Sequence, residues 1–398
     1  MSAVETDLRT FVADRLVARN LVSRAFFERE AGRLALACEE MSRRFLRGGR
    51  LLAFGRGASA TDAQHVAVEF VHPVIVGKRA LPALDLSAAF KRWMPAVVGG
   101  ADIVMGFCEP QGDDAVAGAL ERARAAGAQT LALPKGCCRA AGSFLIDAPS
   151  QDPFVSQELI EVLYHTLWES VHVFFEHREH GHEDLGASAF LYPFLGAERQ
   201  DTSTMTADVA ASIRSKAAED ERLRQAAAAD QAEQIAAAIV AVLRRLDAGA
   251  TLLMFGNGGS ATDANDWAID CVSPPTAGMA VPALSLSMEP ANITAVANDI
   301  GSEAIFLRQL IAHGRRGDVA IAISTSGGSA NVIAALQEAR KRGLLTVALL
   351  GYDGGEIVRS GLADLPIVVR CDYIPRIQEV QASIYHVMTE AWCAWKRS

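Results

Sequence analysis

Two short stretches of this chain have the residues to hold an anion. Gly256-Asn257-Gly258-Gly259-Ser260 follows the apolar run 251–255 and leads into a helical segment. Glycines let a backbone come close to an anion, and a helix start offers free N–H groups at its positive end. Ser324-Thr325-Ser326-Gly327-Gly328-Ser329 follows the apolar run 319–323 and adds four hydroxyls. Either loop alone reads equally well as a tight turn with a serine cap. Two of them at strand C-termini of one parallel sheet favour a phosphate site. Neither matches G-x-x-x-x-G-K-[ST] or G-x-G-x-x-G, so no nucleotide fold is expected. In the first half, His65 and Glu69 stand four apart after Gly55-Arg56-Gly57-Ala58-Ser59. That spacing puts both on one helix face, as a metal or acid/base pair needs, although solvated pairs share it. Gln157 and His165 lie eight apart, again roughly on one face.

The elements that must position these residues occur twice. Residues 51–64 match 252–265, 81–87 match 281–287, 100–104 match 316–320, and Gln157-Glu158…Tyr164-His165 matches Gln378-Glu379…Tyr385-His386. The offset grows from 201 to 221 residues along the repeat, so the first copy is shorter by about twenty. A period this long means a duplicated domain rather than a solenoid. Each copy opens with a long Ala-, Leu-, Arg- and Glu-rich segment, 7–47 and 205–246, with apolar residues at helical spacing. Short apolar runs (251–255, 319–323, 345–350) then alternate with helical stretches. This predicts an α/β fold, with parallel sheets flanked by helices on both faces. Residues 181–203 read as a linker, so the domains are placed at 1–200 and 201–398.

Composition narrows the function classes. The 398 residues are 50% apolar and 21% charged, enough to bury sizeable cores. No apolar run approaches the roughly 20 residues of a membrane span. The first residues lack the basic and apolar regions of a secretory signal, which predicts a cytoplasmic protein. A net charge of −9 argues against a nucleic-acid binder. Seven scattered cysteines, with Cys137 and Cys138 adjacent, are expected to be reduced thiols. His172, His177, His180 and His182 crowd the end of the first copy and read as a solvated helix end. Trp267, Trp392 and Trp395 read as core or interface residues, and Glu379 as an ion-pair partner.

Three motifs together, Gly256–Ala264, Ser324–Asn331 and Arg376-Ile377-Gln378-Glu379…His386, resemble the SIS (sugar isomerase) family, in particular its phosphoheptose isomerase branch. The resemblance covers most of residues 205–398 strongly and 10–180 more weakly. It implies flavodoxin-like αβα sandwiches, each with N-terminal helices. It implies isomerisation of sedoheptulose 7-phosphate to D-glycero-D-manno-heptose 7-phosphate through an enediol(ate), with Zn2+ and no organic cofactor. Carried onto this chain, the metal ligands are His65, Glu69, Gln157 and His165. Acid/base residues are Glu69, His165 and His386. Substrate contacts are Asn257, Gly258, Ser260, Asp299, Ser324, Thr325, Ser326, Ser329 and Gln378. Two tandem chains are expected to pair as a homodimer that mimics a four-domain assembly. The family also contains sugar-phosphate regulators and a protein-binding adaptor, so a non-catalytic role is the alternative.

Neither half follows the pattern throughout. Asp266 and Asp270 stand where the family has His and Glu. In the first half the phosphate loop reads Cys108-Glu109-Pro110-Gln111-Gly112-Asp113, and its carboxylates would repel a phosphate. The losses are complementary. A site shared by the two halves is therefore expected, with a scaffold role for the first half as the plainer possibility.

Overall fold

A computed structural model describes residues 3–75, 78–135, 144–179, 202–276 and 278–395. Cys137, Cys138, His180, His182 and residues 181–201 lie outside it, as do the side chains of His177 and Trp395. Thr202 and Ser203, expected in the linker, already belong to a helix.

The first half runs α1 (Ala3–Leu46), β1 (Leu51–Phe54), α2 (Ser59–Val71), β2 (Ala83–Asp85), α3 (Phe90–Val97), β3 (Ile103–Phe107), α4 (Asp114–Ala125), β4 (Gln129–Leu133), β5 (Phe144–Leu145) and α5 (Pro153–Glu179). The second runs α6 (Thr202–Asp230), α7 (Ala232–Asp247), β6 (Leu252–Gly256), α8 (Gly259–Val272), β7 (Ala283–Ser285), α9 (Pro290–Asp299) and α10 (Ile305–His313). It continues with β8 (Val319–Ser324), α11 (Ala330–Arg342), β9 (Leu345–Gly351), α12 (Gly355–Arg359), β10 (Leu365–Val369) and α13 (Ile374–Trp395). Each half forms one five-stranded sheet. The orders are β2-β1-β3-β4-β5 and β7-β6-β8-β9-β10, all parallel. The two orders are the same, and this is the flavodoxin-like arrangement.

The strands are apolar on both faces because helices cover both. Leu51, Ala53, Ile103 and Met105 pack with α1, α2 and α5. Their neighbours Leu52, Phe54 and Val104 pack with α3 and α4. The second sheet repeats this: Leu252 and Met254 face α7, α8 and α13, while Leu253 and Phe255 face α9, α10 and α11. Each such Leu, Ile, Val or Phe, fully buried, contributes about 1.5–3 kcal/mol. One polar tie recurs at corresponding positions. Asp102 accepts from the N–H groups of Arg50 (3.0 Å) and Gly99 (2.8 Å). Asp318 accepts from those of Thr251 (2.9 Å) and Arg315 (2.8 Å).

Contacts divide the chain into two compact units, 21–219 and 1–20 with 220–398. The division expected near residue 200 separates the two sheets, but the units depart from it in the long first helix of each half. Leu8, Val12 and Leu16 of α1 are buried in the core of the second sheet's unit. In that unit Arg15 and Arg19 pair with Glu390 (2.9 Å each), and Asn20 donates to the Glu221 carbonyl (3.0 Å). Conversely, Met205, Val209, Ile213 and Ala217 of α6 are buried in the first sheet's core. There Arg214 pairs with Glu28 (3.1 Å), and Lys216 pairs with Glu169. The segment expected as one helix over 205–246 is bent by 68° between α6 and α7. Gln231 sits at the break, and its side chain accepts from Val368 N of β10 (3.1 Å). No single helix among the described residues is long and apolar enough to cross a membrane.

Candidate functional site

In the second sheet's unit, both glycine- and serine-rich loops leave the C-terminal ends of adjacent strands, β6 and β8. Gly256 ends β6 where a Cβ would lie 2.4 Å from Ser260 O, so only glycine lets the loop turn this tightly into α8. Gly258 precedes α8 with φ 57°, a left-handed conformation that glycine adopts without strain. Ser287 Oγ accepts from Gly256 N (3.3 Å) and steadies the loop from the β7 side. The Asn257 and Asn331 amides donate to each other, 2.9 Å each way, and join the first loop to the start of α11. Within the second loop, Gly327 N donates to Ser324 Oγ and Gly328 N to Ser326 Oγ, both at 3.2 Å. A hydroxyl that accepts in this way keeps its own hydrogen to donate. Ser326 is exposed, Thr325 and Ser329 half-buried, and Ser260 buried. Two helix starts and a set of hydroxyls thus gather at the ends of adjacent strands, chemistry that suits a phosphate. Asp299 lies at the exposed end of α9, bonded to Asn298 (2.8 Å).

Behind this cradle, α8 and α13 face each other across a buried cluster. Asp266, Asp270 and His386 are 3%, 0% and 0% exposed. His386 Nε2 is 3.5 Å from Asp266 Oδ2 and 3.3 Å from Asp270 Oδ2. Tyr385 OH donates to Asp266 Oδ2 (2.8 Å). Trp267 stacks on Tyr385 (centroids 5.3 Å apart) and on Trp392 (5.6 Å), and its Nε1 donates to Thr389 Oγ1 (2.9 Å). Gln378, on the first turns of α13, is also buried, and Glu379 pairs with Arg376 as expected.

The corresponding helices of the other unit, α2 and α5, bring together His65, Glu69 and His165, all buried. His165 Nε2 is 3.3 Å from His65 Nε2, and Glu69 Oε1 is 3.9 Å from it. The residue that joins both histidines at metal-ligand spacing is Glu161, with donor atoms of all three within 4.8 Å of one another. Sequence reasoning passed over Glu161, although it stands midway between Gln157 and His165 on the same face of α5. Its counterpart in the second copy is Ala382, so the repeat did not flag it. Gln157 instead donates to Asp62 Oδ2 (3.2 Å). His386 belongs to the second sheet's unit, with its own carboxylates, while Glu69 and His165 belong to the first.

The first half's loop after β3 has a different chemistry. Asp113 caps α4, accepting from Ala115 N (2.7 Å) and Val116 N (3.1 Å). Arg56, from the loop after β1, pairs with the same carboxylate (2.8 Å). Burial raises the Asp113 carboxyl, but the Val116 and Ala115 N–H groups and Arg56 outweigh it and hold it below the usual range. A built-in carboxylate therefore occupies the helix start that an anion would use. Two buried cysteines are held as thiols by their surroundings. Burial pushes Cys38 up to about 12, and burial together with Asp270 pushes Cys271 well above its ordinary range. Both shifts disfavour the thiolate.

A family model described as SIS domain matches residues 217–351. The C-terminal domain of glucosamine-fructose-6-phosphate aminotransferase from Francisella tularensis aligns over 94% of this chain and 95% of its own, with TM-score 0.61 and 9% identity, which shows a shared fold. A phosphoheptose isomerase of Citrifermentans bemidjiense is 43% identical over 157 residues, 39% of this chain and 81% of that protein. One of Geotalea daltonii is 38% identical over 179 residues, 45% of this chain and 92% of its own. The chain belongs to the SIS-domain family and, within it, to the family of the phosphoheptose isomerases.

Proposed function

We propose that this protein is a sugar-phosphate aldose–ketose isomerase, with sedoheptulose 7-phosphate as substrate. The observation that carries the reading is the cradle of Asn257, Ser260, Ser324, Ser326 and Ser329, standing over helices whose buried turns bring imidazole and carboxylate together. The cradle would bind the phosphate and fix which end of the sugar reaches inward. Isomerisation needs a proton taken from the carbon beside the carbonyl and returned to the neighbouring carbon. An imidazole within reach of a carboxylate can hold and move such a proton. His386 with Asp270 is that pair in the cradle's unit; in the other, Glu69 is within reach of His65, and His165 stands 3.3 Å from His65. Two imidazoles and buried carboxylates are also a fitting donor set for the zinc ion that the family implies. His65, Glu161 and His165, with Glu69 beside them, would hold it. When bound, such an ion supplies Lewis-acid polarisation of the sugar carbonyl.

The alternative is a sugar-phosphate binder without turnover. The shorter stem of Asp270, in place of the family's Glu, favours it, because a displacement of about an ångström costs much of catalysis. The test is NMR of zinc-loaded protein with sedoheptulose 7-phosphate. Appearance of the aldose phosphate, lost in Ser326→Asp, supports the isomerase. A raised melting temperature without conversion would leave the binder.

A further inference from the structure

We infer that Asp266, Asp270 and His386 form a site for a hard divalent cation of the Mn2+ class, chemically distinct from the imidazole-rich cluster of the other unit. Three observations lead there. The first is the donor set. His65, Glu161 and His165 offer two nitrogens and one oxygen, whereas Asp266, Asp270 and His386 offer two carboxylates and one nitrogen. Carboxylate-rich sets suit Mg2+, Ca2+ and Mn2+, while imidazole-rich sets suit Zn2+. One imidazole among oxygens favours Mn2+ over the purely oxygen-seeking ions.

The second observation is spacing. The donor atoms all lie within 4.8 Å of one another, and His386 Nε2 is 3.3 and 3.5 Å from the two carboxylates. Ligands about 2.1–2.2 Å from an ion stand roughly 3.0–3.5 Å apart when adjacent, so little movement is needed to close around one. The third is the surroundings. Tyr385 OH donates to Asp266, the kind of outer hydrogen bond that orients a ligating carboxylate. The stack of Trp267, Tyr385 and Trp392 holds α8 and α13 in register around the cluster. All three donors are nearly or wholly buried. Two carboxylates brought together without water repel each other, and a divalent cation between them reverses the sign of that energy.

This inference rests on donor atoms and holds whether or not the protein turns over a sugar. The test uses the full chain, stripped of metal and titrated with Mn2+, with free Mn2+ followed by EPR. Wild type should bind Mn2+, and the bound ion should show coupling to a single ligating nitrogen in pulsed EPR. Asp270→Asn and Asp266→Asn should each weaken Mn2+ binding at least tenfold. Glu161→Gln should leave Mn2+ affinity unchanged and lower that for Zn2+. Failure of wild type to bind Mn2+, coupling to two nitrogens, or loss of Mn2+ binding in Glu161→Gln would each overturn it. The nitrogen count comes from wild type, so it decides the matter even if an aspartate variant does not fold.

Discussion

The two halves have the same strand order, yet their third strands, β3 and β8, end in opposite chemistry. After β8 the loop presents hydroxyls and glycines, and Ser329 stands at the start of α11. After β3 the loop presents Glu109 and Asp113, and Asp113 caps α4 with Arg56 bound to it. A similar contrast lies in the helices behind. At corresponding positions one half has His65 and Glu69, the other Asp266 and Asp270. The lesson is that two copies of one fold keep the backbone scaffold while the side chains at their strand ends diverge. The ties that hold strand ends, Asp102 and Asp318, are the same in both.

The comparison extends to packing, and there it can be broken most forcefully. Trp267 on α8 corresponds to Val66 on α2, and Thr389 on α13 to Trp168 on α5, so at this pair of positions the buried indole comes from α8 in one unit and from α5 in the other. Trp267→Val should cost about 3 kcal/mol or more. That lowers the melting temperature by roughly 6–12 °C for a unit of this size. Adding Thr389→Trp should recover a substantial part of it. A double variant no more stable than the single one would refute the exchange of volumes.

Next in size, Gly327→Ala should cost about 2–3 kcal/mol and abolish sugar-phosphate binding. Gly327 has φ 60°, and a Cβ there would lie 2.1 Å from Gly354 O. Differential scanning calorimetry and a binding titration check both. The position corresponds to Gln111 in the other half, where Gln→Gly should leave stability nearly unchanged.

Ser329→Asp gives the second half the capping residue of the first. It should weaken sedoheptulose 7-phosphate binding roughly tenfold to a hundredfold, since a lost charge-assisted bond is worth about 1.5–3 kcal/mol, while the melting temperature holds or rises slightly. Unchanged affinity in calorimetric titration would show that Asp113 is not what closes the first half's loop.

The smallest effect is in acid. The Asp113 carboxyl is held below the usual range, despite its burial, by the Val116 and Ala115 N–H groups and Arg56. Its contribution is therefore fully present above the ordinary aspartate value near 3.9 and is lost as pH falls through the lowered folded value. Asp113→Asn should remove that pH dependence, by less than about 1 kcal/mol. Thermal melts between pH 5 and 2.5 would show it.

Much of this could be read from the chain alone. The repeat, the strands before glycine turns and the parallel sheets all follow from local pattern, because apolar runs bounded by glycine have few other ways to fold. The loops at 256–260 and 324–329 were equally legible, since glycine and serine spacing dictates a close backbone approach. Glu161 was not, because its partner histidines lie on another helix as well as its own, and only packing α2 against α5 puts them together. Nor could the sequence show Tyr385 bonded to Asp266, or that Leu8, Val12 and Leu16 are buried with the second sheet while Met205 and Val209 are buried with the first. An amphipathic helix declares that one face must be covered. Which surface covers it is settled only when the whole chain competes for the same apolar area.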